Sequence, residues 1–163
     1  MHLKNPTCGL VGRFALTVSM LATASVGAYG ESKAANSARI MWSSFACSTF
    51  AEMAGNQSEQ LRLFTLGFNE GKKLLEGVLN KAIPQEVLKD APIGMTMRLG
   101  GPSADFMVGR IFEAATMDAY DEITKTDSQG LPITDPQKWN MDDELQKSIA
   151  ETKYLQSNCA IIR

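Results

Sequence analysis

The sequence predicts an all-α fold: a compact bundle of four to five helices, closed by one disulfide and preceded by a signal peptide. Three observations predict it. Beyond residue 36, apolar residues recur at steps of three and four, the period of a helix buried on one face. No stretch sustains the strict alternation of a half-buried strand. Two cysteines, Cys47 and Cys159, bracket most of the helical part.

The first 28 residues differ from the rest. Lys4 and Arg13 make a basic start with no acidic residue, Phe14–Ala24 is a short apolar run, and Val26-Gly27-Ala28 is a small-residue cleavage pattern before Tyr29. Those parts in that order describe a secretory signal peptide. The run is shorter than the ~20 residues a spanning helix needs, so no stable membrane span is expected after processing. Cys8 precedes the apolar run, which argues against a lipid-acceptor cysteine. The expected organisation is a signal peptide over 1–28, cut near Ala28 and as late as Ala35, then a flexible mature N-terminus over 29–36 and a single helical domain over 37–163. The expected location is outside the cytoplasm, periplasmic or secreted.

The mature helices follow in order. Ile40–Met53 holds Trp42, Phe45, Cys47 and Phe50, the densest apolar cluster after the leader, and predicts a central helix over ~38–54, capped by Asn36 or Ser37 and stopped by Gly55-Asn56. Ser58 is expected to cap a long helix reaching about Ala82, with Leu61, Phe64, Phe68, Leu75, Val78 and Leu79 inward. Gly67 and Gly71 interrupt it, each at ~1 kcal/mol of helix propensity, which predicts close approach of another helix. Pro84–Lys89 reads as a short helix and Met95–Leu99 as a short apolar turn or helix. After the Gly100-Gly101-Pro102 break, Ser103 caps a helix over ~103–125, with Asp105 favourably placed in its first turn. The run 127–139 carries two prolines and a glycine and reads as a loop. A last helix over ~141–157 is expected to turn Leu145, Ile149 and Leu155 inward.

Composition excludes several classes of chemistry. The full chain carries 16 basic and 18 acidic residues, and without Lys4 and Arg13 its formal charge moves from −2 to −4, so no nucleic-acid partner is expected. The only histidine, His2, lies in the leader. A mature chain without it has neither a Ser-His-Asp nor a Cys-His mechanism, nor a His-ligated zinc. Losing Cys8 leaves an even pair in an oxidising compartment. Their closure spans 112 positions and is worth ~4–5 kcal/mol as an upper figure in the chain-entropy account.

Four constellations are candidates for chemistry. Arg98, Gly100, Gly101 and Ser103 combine a glycine pair, a helix N-terminus and a cation, the elements of an anion site. Asp118, Asp121 and Glu122 stand at helical steps, where their carboxylates could meet a hard cation. Trp139, in a polar loop, is a candidate interface anchor. Arg110 and Glu113 form an expected surface pair. The run 127–135 is no calcium loop: aligning Gly130 with the required glycine puts Lys125 first and Pro136 last. No motif calls for a cofactor. The preferred expectation is therefore a small exported helical protein that binds another protein or peptide of the cell envelope, in an inhibitor, immunity or chaperone-like role, with no catalytic residue assigned. The competing expectation is a small-ligand or metal-dependent envelope protein, hydrolases included, that uses the acidic face or the anion site.

Overall fold

Helical periodicity becomes five α-helices, and no strand occurs among the residues that the computed structural model describes, 25–127 and 129–163. The basic start and apolar run of the expected signal peptide lie outside the described residues.

Helix α1 (Ser25–Met53) begins well before the expected start. Residues 29–36, expected to be a flexible tail, belong to it. Alanine has the highest helix propensity, and Ala34, Ala35 and Ala38 are buried. Ser37 adds a hydrogen bond to Glu70 Oε2 at 3.1 Å. The helix ends in a left-handed glycine, Gly55 (φ 80°). There Asn56 N donates to Ala51 O at 2.8 Å and Gly55 N to Glu52 O at 2.9 Å, the paired bonds that satisfy a helix C-terminus.

Helix α2 (Gln57–Leu79) runs back along α1 and is capped by Asn56, not Ser58: the Asn56 side chain accepts from Glu59 N at 3.3 Å. Its buried face is Leu63, Gly67, Gly71, Leu74, Leu75 and Val78. The expected phase is therefore wrong in part, because Leu61, Phe64 and Leu79 remain exposed. The glycines explain the choice. A Cβ at Gly67 would come within 2.8 Å of the Phe45 ring, and one at Gly71 would overlap Met41 Sδ. The bare stretch of α2 thus admits the two largest fully buried side chains of α1, Phe45 and Met41.

The connection to α4 wraps the same end. Leu88, in a 3₁₀ turn at Gln85–Leu88, and Met95, in the one-turn helix α3 (Ile93–Thr96), are both fully buried. Helix α4 (Ala104–Thr124) starts at Ser103, whose hydroxyl accepts from Phe106 N at 3.2 Å, and buries Met107, Val108, Ile111, Ala115, Ala119 and Ile123. Phe106, in its first turn, is half exposed. Helix α5 (Asp143–Gln156), capped by Asp142, fully buries only Ala150. Leu145 and Leu155, expected inward, are 46% and 74% exposed. This helix meets the others along one narrow edge.

The core has two parts. Met41, Phe45, Leu74, Leu75, Met107, Val108 and Ile111 fill the space between α1, α2 and α4, covered by Leu88 and Met95. Cys47, Phe50, Ala51, Leu63, Ala119 and Ile123 form a second cluster, closed by Ala150 and Cys159. The expected Cys47–Cys159 disulfide is present, with Cα atoms 5.6 Å apart.

Candidate functional site

The expected anion site does not assemble. Arg98 Nη1 turns back onto Gly94 O at 2.8 Å, and Gly100 O accepts from Arg110 Nη1 at 2.9 Å. Gly101 lies against the Phe106 ring, and the Ser103 hydroxyl is occupied by its cap. Each residue has a separate local contact in place of a shared anion.

Two carboxylates of the acidic triplet are likewise engaged separately. Asp121 pairs with Lys125 at 2.7 Å and Glu122 with Lys153 at 3.0 Å, while Asp118 is exposed. Among the described residues no three His, Cys, Asp or Glu side chains are grouped to hold a metal ion. Arg110 does not pair with Glu113; it sits 5.7 Å from the Phe106 ring centroid. Trp139 is half-buried and serves its own loop. Its indole N–H donates to Ile133 O at 3.0 Å, and Lys125 Nζ lies 4.8 Å from its ring centroid, a cation–π contact.

That loop is held from both ends. The Asp127 carboxylate accepts from Gln129 N at 2.9 Å and Leu131 N at 2.8 Å. Asn140 Nδ2 donates to Ile123 O at 3.0 Å and Thr126 O at 3.1 Å. A cleft of about 640 Å³ opens between this loop and α5. Of its charged side chains, Asp127 is spent on backbone N–H groups and Lys153 is paired with Glu122.

Two arrangements escaped the sequence reading. The first is a row of phenylalanines along the seam of α2 and α4. Buried Phe45 meets Phe112 edge-on at 5.2 Å between centroids, Phe112 meets Phe64 edge-on at 5.3 Å, and Phe64 stacks on Phe68 at 6.2 Å. Such geometries add ~0.5–1.5 kcal/mol per pair beyond area burial. The rings stay partly open to solvent: Phe64 is 37% exposed and Phe68 and Phe112 are half-buried. Leu61, one turn from Phe64, is exposed. Gly109, one turn before Phe112, has open space where a Cβ would stand. The Lys72–Asp105 ion pair at 3.0 Å bridges the helices at one end of the seam. The four-residue step from Phe64 to Phe68 was visible, but it reads equally well as a buried face.

The second joins α2 to α5 and the C-terminus. Arg62 Nε and Nη2 grip the two oxygens of Glu59, each at 2.8 Å. Nη1 donates to Ile162 O at 2.8 Å and Nη2 to Cys159 O at 3.1 Å. The Tyr154 hydroxyl donates to Glu59 Oε2. The bonds from Arg62, then from Tyr154, hold the Glu59 carboxyl at about 2, far below its ordinary range. Burial, followed by the neighbouring carboxylate, pushes Tyr154 up.

Among the described residues no helix is long and apolar enough to cross a membrane. Comparison with protein families, curated proteins and solved structures finds no match.

Proposed function

We propose that this is an exported helical protein that works by binding another protein or peptide, and that the partner docks on the seam of α2 and α4. One observation carries the reading: rigid aromatic rings, Phe64, Phe68 and Phe112, line a partly open seam beside a helical glycine with no internal packing role. Binding energy in interfaces concentrates in aromatic anchors on pre-organised surfaces, and a two-helix seam suits an amphipathic helix laid along it. The bare backbone at Gly109 allows close approach. The disulfide is compatible with export, because such bonds persist in oxidising compartments.

Two measurements test the reading. A photoreactive phenylalanine analogue at Phe64, with a control at exposed Glu151 on α5, is irradiated in living cells. A discrete adduct from position 64 alone supports the seam; equal labelling from both positions, or none from position 64, overturns it. Intact mass after alkylation, with and without reduction, tests export. A chain starting between Tyr29 and Asn36, with two thiols appearing only on reduction, supports it, and a full-length chain with free thiols refutes it.

A further inference from the structure

The Cys47–Cys159 bond ties the middle of α1 to the turn that follows α5. Both cysteines are buried, at 1% and 0% exposure. Thiol–disulfide exchange needs a thiolate to attack a sulfur, so its rate depends on access. In the native fold that access is closed, and some part of the molecule must move first.

The tail is the smallest part that can. Its turn, Cys159–Ile161, buries no side chain apart from the cysteine, and Ile161 is exposed. Arg62 holds both sides of that turn through Cys159 O and Ile162 O. The guanidinium is itself fixed by the two-pronged grip of Glu59, which Tyr154 completes from α5. The contacts from Arg62 to the turn and from Tyr154 to Glu59 join residues 95 to 100 positions apart, and none of them belongs to the aromatic core between α1, α2 and α4.

We infer that Arg62 gates the disulfide: reduction proceeds through local release of the C-terminal tail, with the bundle still folded, and Arg62 sets how seldom that release occurs. The chemistry balances with a dithiol reductant. Its thiolate attacks one exposed sulfur, forming a mixed disulfide and expelling the other cysteine as a thiolate, which takes up a proton. The second reductant thiol closes on the mixed disulfide, leaving Cys47 and Cys159 as thiols and the reductant as a cyclic disulfide. Two electrons and two protons pass to the protein. The bond then acts as a guarded staple that survives encounters with small thiols, distinct from an exposed sensor that responds to them.

The test follows thiol appearance by alkylation and mass in excess dithiothreitol, using the purified oxidised protein. Arg62→Ala is expected to speed reduction about tenfold or more, because it removes both charge-assisted hydrogen bonds to the turn, each weakened by partial exposure. Gly71→Ala, placed to destabilise the bundle without touching the tail, is expected to leave the rate unchanged, and low urea is expected to leave the unmutated rate nearly flat. Arg62→Lys and Tyr154→Phe, milder changes to the same clasp, are expected to fall between. The inference is overturned if Arg62→Ala leaves the rate unchanged, if Gly71→Ala accelerates it equally, or if the unmutated rate climbs from the lowest urea with the full slope of global unfolding. Should Arg62→Ala fail to fold, the two milder variants decide: no acceleration in either one refutes the gate.

Discussion

Replacing one glycine by alanine on α2 and another on α4 should move stability in opposite directions. Alanine favours an interior helix position by ~1 kcal/mol over glycine, so each substitution begins with that gain. At Gly67 the new methyl would stand 2.8 Å from Phe45 Cδ1 and Cε1 and 3.2 Å from Met41 O. The Phe45 ring is fully buried and wedged between Phe64 and Phe112, at 6.2 and 5.2 Å between centroids. Neither ring nor backbone has room to retreat, and overpacking of this kind costs ~1–3 kcal/mol, more where backbone is involved. The expected net loss for Gly67→Ala is up to ~2 kcal/mol, a fall in Tm of up to roughly 8 °C for a chain of this size. At Gly109 nothing stands within 4 Å of the new Cβ, so the gain of ~1 kcal/mol survives and Tm rises by ~2–4 °C. Thermal and urea unfolding followed by circular dichroism at 222 nm measure both. A higher Tm for Gly67→Ala, or a lower one for Gly109→Ala, would refute the packing argument. The second variant also probes function: if it stabilises the fold while weakening the adduct at position 64, the bare backbone serves the partner.

Other substitutions test the second cluster and its closure. Leu63→Ala removes a fully buried side chain and should destabilise by ~2–5 kcal/mol; a urea-unfolding loss below about half the lower bound would show that the site collapses around the gap. The double variant Cys47→Ala/Cys159→Ala opens a closure of 112 positions and should lose up to ~5 kcal/mol, with a loss under ~1 kcal/mol contradicting the staple role. Glu59 is held at about 2 against an ordinary 4.5. A depressed carboxylate contributes stability that is complete above its unfolded value and fades as pH falls through the folded one. The stability gap between the unmutated protein and Glu59→Gln should therefore hold above about pH 5 and close toward pH 2; a gap constant across that range would mean that Glu59 contributes little as an anion.

The helical class, the disulfide and the α4 boundary were legible because local chemistry fixes them. Gly100-Gly101-Pro102 cannot continue a helix, and Ser103 can start one, so the observed α4 begins where the residues require. Orientation was less legible. Hydrophobicity alone turns Leu61 and Phe64 inward on α2, but the buried side is the one that lets α1 come nearest, marked by Gly67 and Gly71. On α5 the same rule selects Leu145 and Leu155, whereas α5 touches the bundle along an edge narrow enough for Ala150. The expected start of α1 failed because small residues such as Ala34 and Ala35 read as a loose tail until a neighbouring helix is there to cover them. The candidate anion and metal residues have local partners that spacing does not reveal, because spacing shows which groups can converge but not which lysines or carbonyls claim them first. Only half of the Arg62 clasp had a local signature, the three-residue step to Glu59; its tail partners lie 97 and 100 residues away.

The two core clusters rely on different physics, and that division bears on where a partner can bind. Between α1, α2 and α4, packing dominates: interlocked rings, buried methionines and glycines shaped to receive them. Around α5, apolar burial is thin, and a covalent bond with a clasp of charged hydrogen bonds takes its place. Opening events start where few apolar contacts must be broken, so motion should gather at α5 and the tail and spare the aromatic seam. A docking surface gains when its anchors need no ordering on binding. The phenylalanine row stands on the part with the denser apolar packing. This asymmetry favours the seam over the α5 cleft as the docking face. Hydrogen exchange decides the point: amides of α5 should exchange well before those of α2 and α4, and the reverse order would move the search for a partner to α5.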